Sequence, residues 1–366
     1  MKSESPFSKL PSLGELLSHP TVARVVKRVN QTTVAQRATG FLEELQTNIR
    51  QRADWGNIPS VGQLAERLAR RLLGPAESSI PCVNATGILL GDCQPTPPLA
   101  EVAVDELVRV STEYLAANST LSDRVATALV ETTGAESAWV THSFAVAEKT
   151  ARAVGGNVIV ARYAGLLNPG DFSLVHYETI AQRLESADMV VVDGAGLLGG
   201  PSCGIVVGKE EKIAECVRHA PIDENTANEL TLAALCATMK IYQSGDRVTH
   251  QIPLWQLLTT PLENLEQRAQ RIATLLTSCK NVASAQPTRC TSVWCESDAA
   301  RLANDSWAVV IKPDGEEGNN LRDAFLEATP RINCRDQQNE SQDGEVWLDL
   351  RGVFPRWDQH LVAACE

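Results

Sequence analysis

Apolar positions from Leu13 to Leu73 return with helical period: Val22, Val25, Val26 and Val29, then Phe41, Leu42 and Leu45. Ser60 with Gln63 ahead of an apolar run has the form of a capping box, and Pro59 and Gly74-Pro75 punctuate the stretch. This pattern predicts a small helical domain over 1–75. Between Pro81 and Gly208 the pattern changes to short apolar runs, at Val140, Asn157–Val160, Met189–Val192 and Ile205–Val207. Helical stretches alternate with them: Leu99–Val110, Ser122–Thr133, Ala145–Ala153 and Glu178–Glu185. Apolar strands separated by helices predict an α/β domain over 76–260, with a mostly parallel sheet covered on both faces. A strongly helical run, Glu229–Tyr242, follows. Pro261 opens a long helix to about Ser278, and strands are predicted at Ser292–Cys295, Trp307–Lys312 and Val346–Leu350. These make a small α+β domain over 261–366, in which polar, turn-rich Asn333–Gly344 reads as a hairpin loop.

Composition narrows the setting. No apolar run reaches the roughly 20 residues a bilayer span needs, and Met1–Pro11 lacks the apolar core of a signal peptide. Ten cysteines are scattered without a CxxC pair or zinc-like spacing, which reads as reduced thiols in a cytoplasmic protein. The net charge of −12 argues against a broad nucleic-acid surface, which needs a basic patch. Basic residues concentrate only near the start (Arg24, Lys27, Arg28, Arg37, Arg50, Arg52, Arg67, Arg70 and Arg71), at helical spacings that suit a solvated helix face.

Several segments, in order, carry a resemblance. They are Leu10-Pro11-Ser12-Leu13 with Glu15-Leu16-Leu17, then Val83-Asn84-Ala85-Thr86-Gly87, Thr112-Glu113-Tyr114 and Thr133-Gly134-Ala135-Glu136. The clearest is Leu197-Leu198-Gly199-Gly200-Pro201-Ser202-Cys203-Gly204 running on to Lys209, with Leu230–Leu235 and Trp347-Leu348-Asp349-Leu350-Arg351 after it. Together they resemble the bacterial L-seryl-tRNA(Sec) selenium transferases (selenocysteine synthases). The resemblance implies a fold type I pyridoxal-phosphate transferase architecture, a homo-oligomer, a tRNA substrate and a Schiff-base lysine directly before the Leu-Leu-Gly-Gly-Pro run.

The departures from that pattern set the expectations for the site. Gly196 stands where the resemblance implies the lysine, and glycine has no amine to form the aldimine. Ala161-Arg162-Tyr163-Ala164-Gly165 holds no acid where the pyridine-binding aspartate is implied, and the stretch from Gly155 to Gly194 is short. The implied phosphate turn corresponds to Thr141-His142-Ser143, and Pro221-Ile222-Asp223-Glu224-Asn225 replaces a basic stretch, which weighs against tRNA. The expectation is therefore no catalytic residue, no cofactor, and a vestigial pocket of Thr141, His142, Ser143, Gly196, Gly199 and Gly200. Lys209 as a substitute lysine and a Cys93–His142 thiol–imidazole pair are the alternatives within the site, and no metal motif is present. Function is expected to be that of a binding or regulatory paralogue, associating with itself or with an active family member. The alternative is a divergent, active selenium transferase.

Overall fold

A computed structural model describes residues 11–26, 34, 37–42, 61–62, 64–65, 68–69, 81–91, 96–112, 114–115, 120–221, 226–245, 247–296, 301–314, 321–335 and 344–365. The Ser60–Gln63 capping box, the Gly74-Pro75 boundary, Cys93, residues 222–225 and most of the basic N-terminal residues lie outside them. The chain divides into two compact units, 1–80 and 81–366.

In the first unit, helix α1 (Leu13–Ser18) opens on a capping box. The Ser12 hydroxyl accepts from the Glu15 amide at 3.2 Å, and the Glu15 carboxylate accepts from the Ser12 amide at 2.7 Å. Those bonds hold the Glu15 carboxyl below its usual range. Helix α2 (Pro20–Val26) follows, and Leu16, Val22, Phe41, Leu64 and Leu68 are buried in one apolar cluster.

The second unit begins with strand β1 (Cys82–Ala85), helices α3 (Glu101–Ser111) and α4 (Leu121–Thr133), strand β2 (Ser137–Thr141) and helix α5 (Phe144–Val154). Strand β3 (Val158–Val160), helix α6 (Ile180–Leu184), strands β4 (Met189–Asp193) and β5 (Gly204–Gly208), and helices α7 (Glu210–His219) and α8 (Glu229–Ser244) continue it. The order across the sheet is β2-β5-β4-β3. β3 and β4 are parallel, while β5 is antiparallel to both β4 and β2. Three of the four strands therefore run one way, with β5 reversed between them. Every residue of β4 and β5 is buried, the mark of a sheet covered on both faces. Val190, Val192, Ile205 and Val207 pack on one face with Leu129 of α4 and Leu232 and Leu235 of α8. Met189, Val191 and Val206 pack on the other face with Ala147 and Ala151 of α5 and Ile213 of α7. The expected α/β class is the class observed.

Short helices α9 (Val248–Gln251) and α10 (Pro253–Leu258) lead to the long α11 (Leu262–Leu276). Leu265, Arg268, Ala269, Ile272, Ala273 and Leu276 form its buried face, at the three-and-four spacing of a helix on a core. The remainder is β6 (Val282–Glu296), β7 (Arg301–Pro313), α12 (Leu321–Glu327), β8 (Arg331–Cys334), β9 (Val346–Asp349) and α13 (Asp358–Ala363). β6, β7 and β9 form one antiparallel sheet. The strand expected at Ser292–Cys295 is thus the end of one more than twice as long. The expected Asn333–Gly344 loop starts later, because Asn333 and Cys334 belong to β8 and pair in parallel with Asn84 and Ala85. Val83 and Ala85 are accordingly buried in the C-terminal core with Leu265, Phe325 and Leu348. That strand lies more than two hundred residues from its partner, a pairing no local pattern announces.

Candidate functional site

Strands β2, β3 and β4 point the same way, so their C-terminal ends reach one edge of the sheet, where α/β proteins place their ligands. β2 delivers Thr141, His142 and Ser143. β3 delivers Arg162, and β4 ends on Asp193. Ser143 is the N-cap of α5, its hydroxyl accepting from the Val146 amide at 3.4 Å. Thr141 is buried, Ser143 half-buried and His142 exposed.

Asp193 is 4% exposed and closes an otherwise apolar strand. Its carboxylate accepts from the Ala195 amide at 3.0 Å and from Arg162 Nε at 3.4 Å. The Arg162 guanidinium also lies over the Phe144 ring, 5.0 Å from its centroid. Neither Arg162 nor Asp193 stood among the expected site residues. The one signal for Asp193 was a charge terminating an apolar strand, a position where an acid needs a partner to be buried.

The loop from Gly194 to Cys203 is fixed by its backbone. Gly194 donates to the Cys203 carbonyl at 3.0 Å, Gly200 to Gly194 at 2.9 Å and Gly199 to Gly196 at 2.9 Å. Trp255 Nε1 donates to the Leu197 carbonyl at 2.8 Å and the Tyr242 hydroxyl to the Leu198 carbonyl at 2.9 Å. Burial pushes the Tyr242 hydroxyl upward, so it stays a donor. Gly199 takes a positive φ of 67°, and any side chain there would run into Ile252. Gly200 packs 3.2 Å from Leu235 Cδ1, measured from the place of a Cβ. Both glycines serve the turn and its packing.

Gly196 is buried, and a Cβ on it would lie 2.9 Å from Tyr163 Cα, 3.0 Å from the Arg162 carbonyl oxygen and 3.2 Å from that of Asp193. The segment after β3 crosses directly over the loop and is bonded to it. The Leu197 amide donates to the Tyr163 carbonyl at 3.1 Å and the Asp193 amide to the Arg162 carbonyl at 2.8 Å. Backbone therefore fills the room that a side chain at 196 would need. Lys209 follows the far end of β5, since Gly204 pairs with Asp193 and Gly208 with Met189. It is exposed and bonded to Asp188 at 2.7 Å, on the opposite edge from Asp193. The Cys93–His142 pair falls outside the described residues at Cys93.

A pyridoxal phosphate held covalently at 196 does not fit these residues, since glycine has no amine and backbone fills the space beside it. A phosphate at the start of α5 is compatible with the Ser143 hydroxyl and the first amides of the helix, although those of Val146 and Ala147 are already bonded to Ser143. Among the described residues, no cluster of His, Cys, Asp and Glu has the form of a metal site, and no helix is long and apolar enough to cross a membrane.

The family model for L-seryl-tRNA selenium transferase matches residues 141–354. The L-seryl-tRNA(Sec) selenium transferase of Yersinia enterocolitica is 32% identical over 215 residues, covering 57% of this chain and 44% of that protein. The Yersinia pestis enzyme of that name is 34% identical over 179 residues, 48% of this chain and 38% of that one. The chain thus spans less than half the length of these curated relatives. Among solved structures it is similar to D-glucosaminate-6-phosphate ammonia-lyase, at 14% identity and a TM-score of 0.46, over 84% of this chain and 97% of that one. It is also similar to Plasmodium falciparum ornithine δ-aminotransferase, at 9% identity and a TM-score of 0.34, over 82% and 97%. The family match corrects the expectation of no cofactor. That family is pyridoxal-phosphate-dependent, and the matched span begins at Thr141 and takes in Ser143, Asp193 and the Gly199-Gly200 turn.

Proposed function

We propose, from the premise that this chain belongs to the L-seryl-tRNA selenium transferase family, that it is a member without lysine-based pyridoxal catalysis and works as a binding or regulatory paralogue. The observation that carries this is the packing at Gly196. An amine is absent there, and the 161–165 segment is bonded across the space its side chain would occupy. A second change agrees with it: the Arg162 guanidinium stands at the end of β3, where the resemblance implies an acid, and pairs with Asp193. In this reading Thr141, His142, Ser143, Gly196, Gly199 and Gly200 are the remains of the family pocket. Self-association, or association with a complete family member, is the mode of action that the reading implies.

The other reading is a divergent, active selenium transferase. The family match and the Leu197–Pro201 run favour it. It needs a lysine from elsewhere, a neighbouring subunit being one source, since Lys209 sits on the opposite edge of the sheet from Asp193.

Pyridoxal phosphate titration followed by absorbance, then borohydride reduction and peptide mapping, separates the two. The expected outcome is no aldimine band and no stoichiometrically labelled lysine, with any binding being non-covalent. A saturable band with one lysine labelled overturns the proposal and puts the transferase reading first.

A further inference from the structure

Outside the strand-end cluster, the second unit carries a groove of about 500 Å³, a volume in the range of small-ligand sites. One wall is the face of α11 that presents Asn264, Gln267, Arg268 and Arg271, residues at helical three-and-four spacing. The lining also includes His250 and Thr260, from α9 and the turn after α10. None of the residues lining the groove is acidic, although the whole chain carries −12. The acids of α11, Glu263 and Glu266, are not among the lining residues, although Glu263 lies one turn before Gln267.

Asp358 is the carboxylate bonded to the arginines of this wall, and its charge is already matched. Arg268 grips it through two bonds, at 3.2 and 2.6 Å, and Arg271 adds one at 2.7 Å. The three groups together hold one net positive charge. Arg268 and Asp358 are buried, while the Arg271 side chain is 62% exposed. Arg271 therefore has a guanidinium anchored on one nitrogen, with its remaining donors open to solvent. An anchored fork of that kind meets a planar or tetrahedral oxyanion with little further loss of side-chain freedom. The amides of Asn264 and Gln267 supply both donors and acceptors beside it.

We propose that this groove binds a small organic oxyanion, a carboxylate or phosphate group on a body bearing hydroxyls or amides, with Arg271 as the anion-holding residue. The proposal stands independently of the chemistry at position 196.

Calorimetric titration of the full chain with inorganic phosphate and with succinate, at constant chloride, tests it and tells the two oxyanions apart. Saturable binding of at least one probe is expected. Arg271→Met should weaken it about tenfold or more, the scale of one charge-assisted hydrogen bond. Gln267→Glu leaves both arginine–aspartate contacts in place and sets a carboxylate beside the site; it should weaken binding to a similar degree. Thermal unfolding of each variant establishes that it is folded. No saturable binding of either probe overturns the proposal, as does parental affinity in the folded variants.

Discussion

The proposed reading turns on a single residue, Gly196, through space as well as through chemistry. Putting a lysine there restores an amine but forces a side chain into the Tyr163 and Arg162 backbone, 2.9 and 3.0 Å from the Cβ position. Gly196→Lys should therefore lower stability by about 1–3 kcal/mol, the cost of overpacking a filled site, and still give no aldimine band with pyridoxal phosphate. Urea denaturation and absorbance check the two halves. Cys203, just beyond the same loop, is buried, and its thiol is pushed up to about 12 by burial and then by the Asp193 carboxylate. A raised thiol keeps its proton in the fold while the unfolded chain gives its proton up near 9. Its contribution to stability is thus whole below pH 9 and lost as pH climbs through 12, with a slope of up to about 1.4 kcal/mol per pH unit. Cys203→Ala should flatten that alkaline fall, measured as denaturant midpoints from pH 8 to 11.

Among the elements, α11 shows how a charged residue comes to lie on a buried face. Arg268 occupies a core position of the helix because Asp358, at the start of α13, accepts two of its hydrogen bonds and the Val353 carbonyl a third at 2.9 Å. Asp358→Ala would leave that guanidinium buried without its counter-charge. A loss of about 3–5 kcal/mol is expected, read from equilibrium unfolding, while Arg271→Met, which leaves Arg268 paired, should cost much less. Helix periodicity marked the long helix after Pro261 well, since Leu265, Ile272 and Leu276 repeat as a buried stripe should. The same periodicity carried no sign that Arg268 belongs to the stripe. Its partner is ninety positions away, and only the packed chain brings the two together.

For the whole molecule, the division into units 1–80 and 81–366 gives a direct expectation. The second unit holds its own cores, on both faces of the four-stranded sheet and beneath the C-terminal sheet. A chain starting at Pro81 should therefore fold alone and unfold cooperatively, as followed by circular dichroism in urea. A chain cut at 260 should not, because β1 would lose β8 and the buried Val83 and Ala85 would lose their cover.

What the sequence determined by itself was local and periodic. Short, β-branched apolar runs such as Met189–Val192 and Ile205–Val207, alternating with helical patterns, fit a sheet covered on both faces, so the α/β class and its principal strands were legible. The ordered run of family-like segments was legible too, and with it the family. Tertiary structure alone decided the rest. It reversed β5 between parallel neighbours and paired β1 with β8. It also brought Arg162 to Asp193, and laid the segment after β3 over Gly196. Each of these depends on contacts between residues far apart in the chain, where neither hydrophobic period nor turn chemistry carries information.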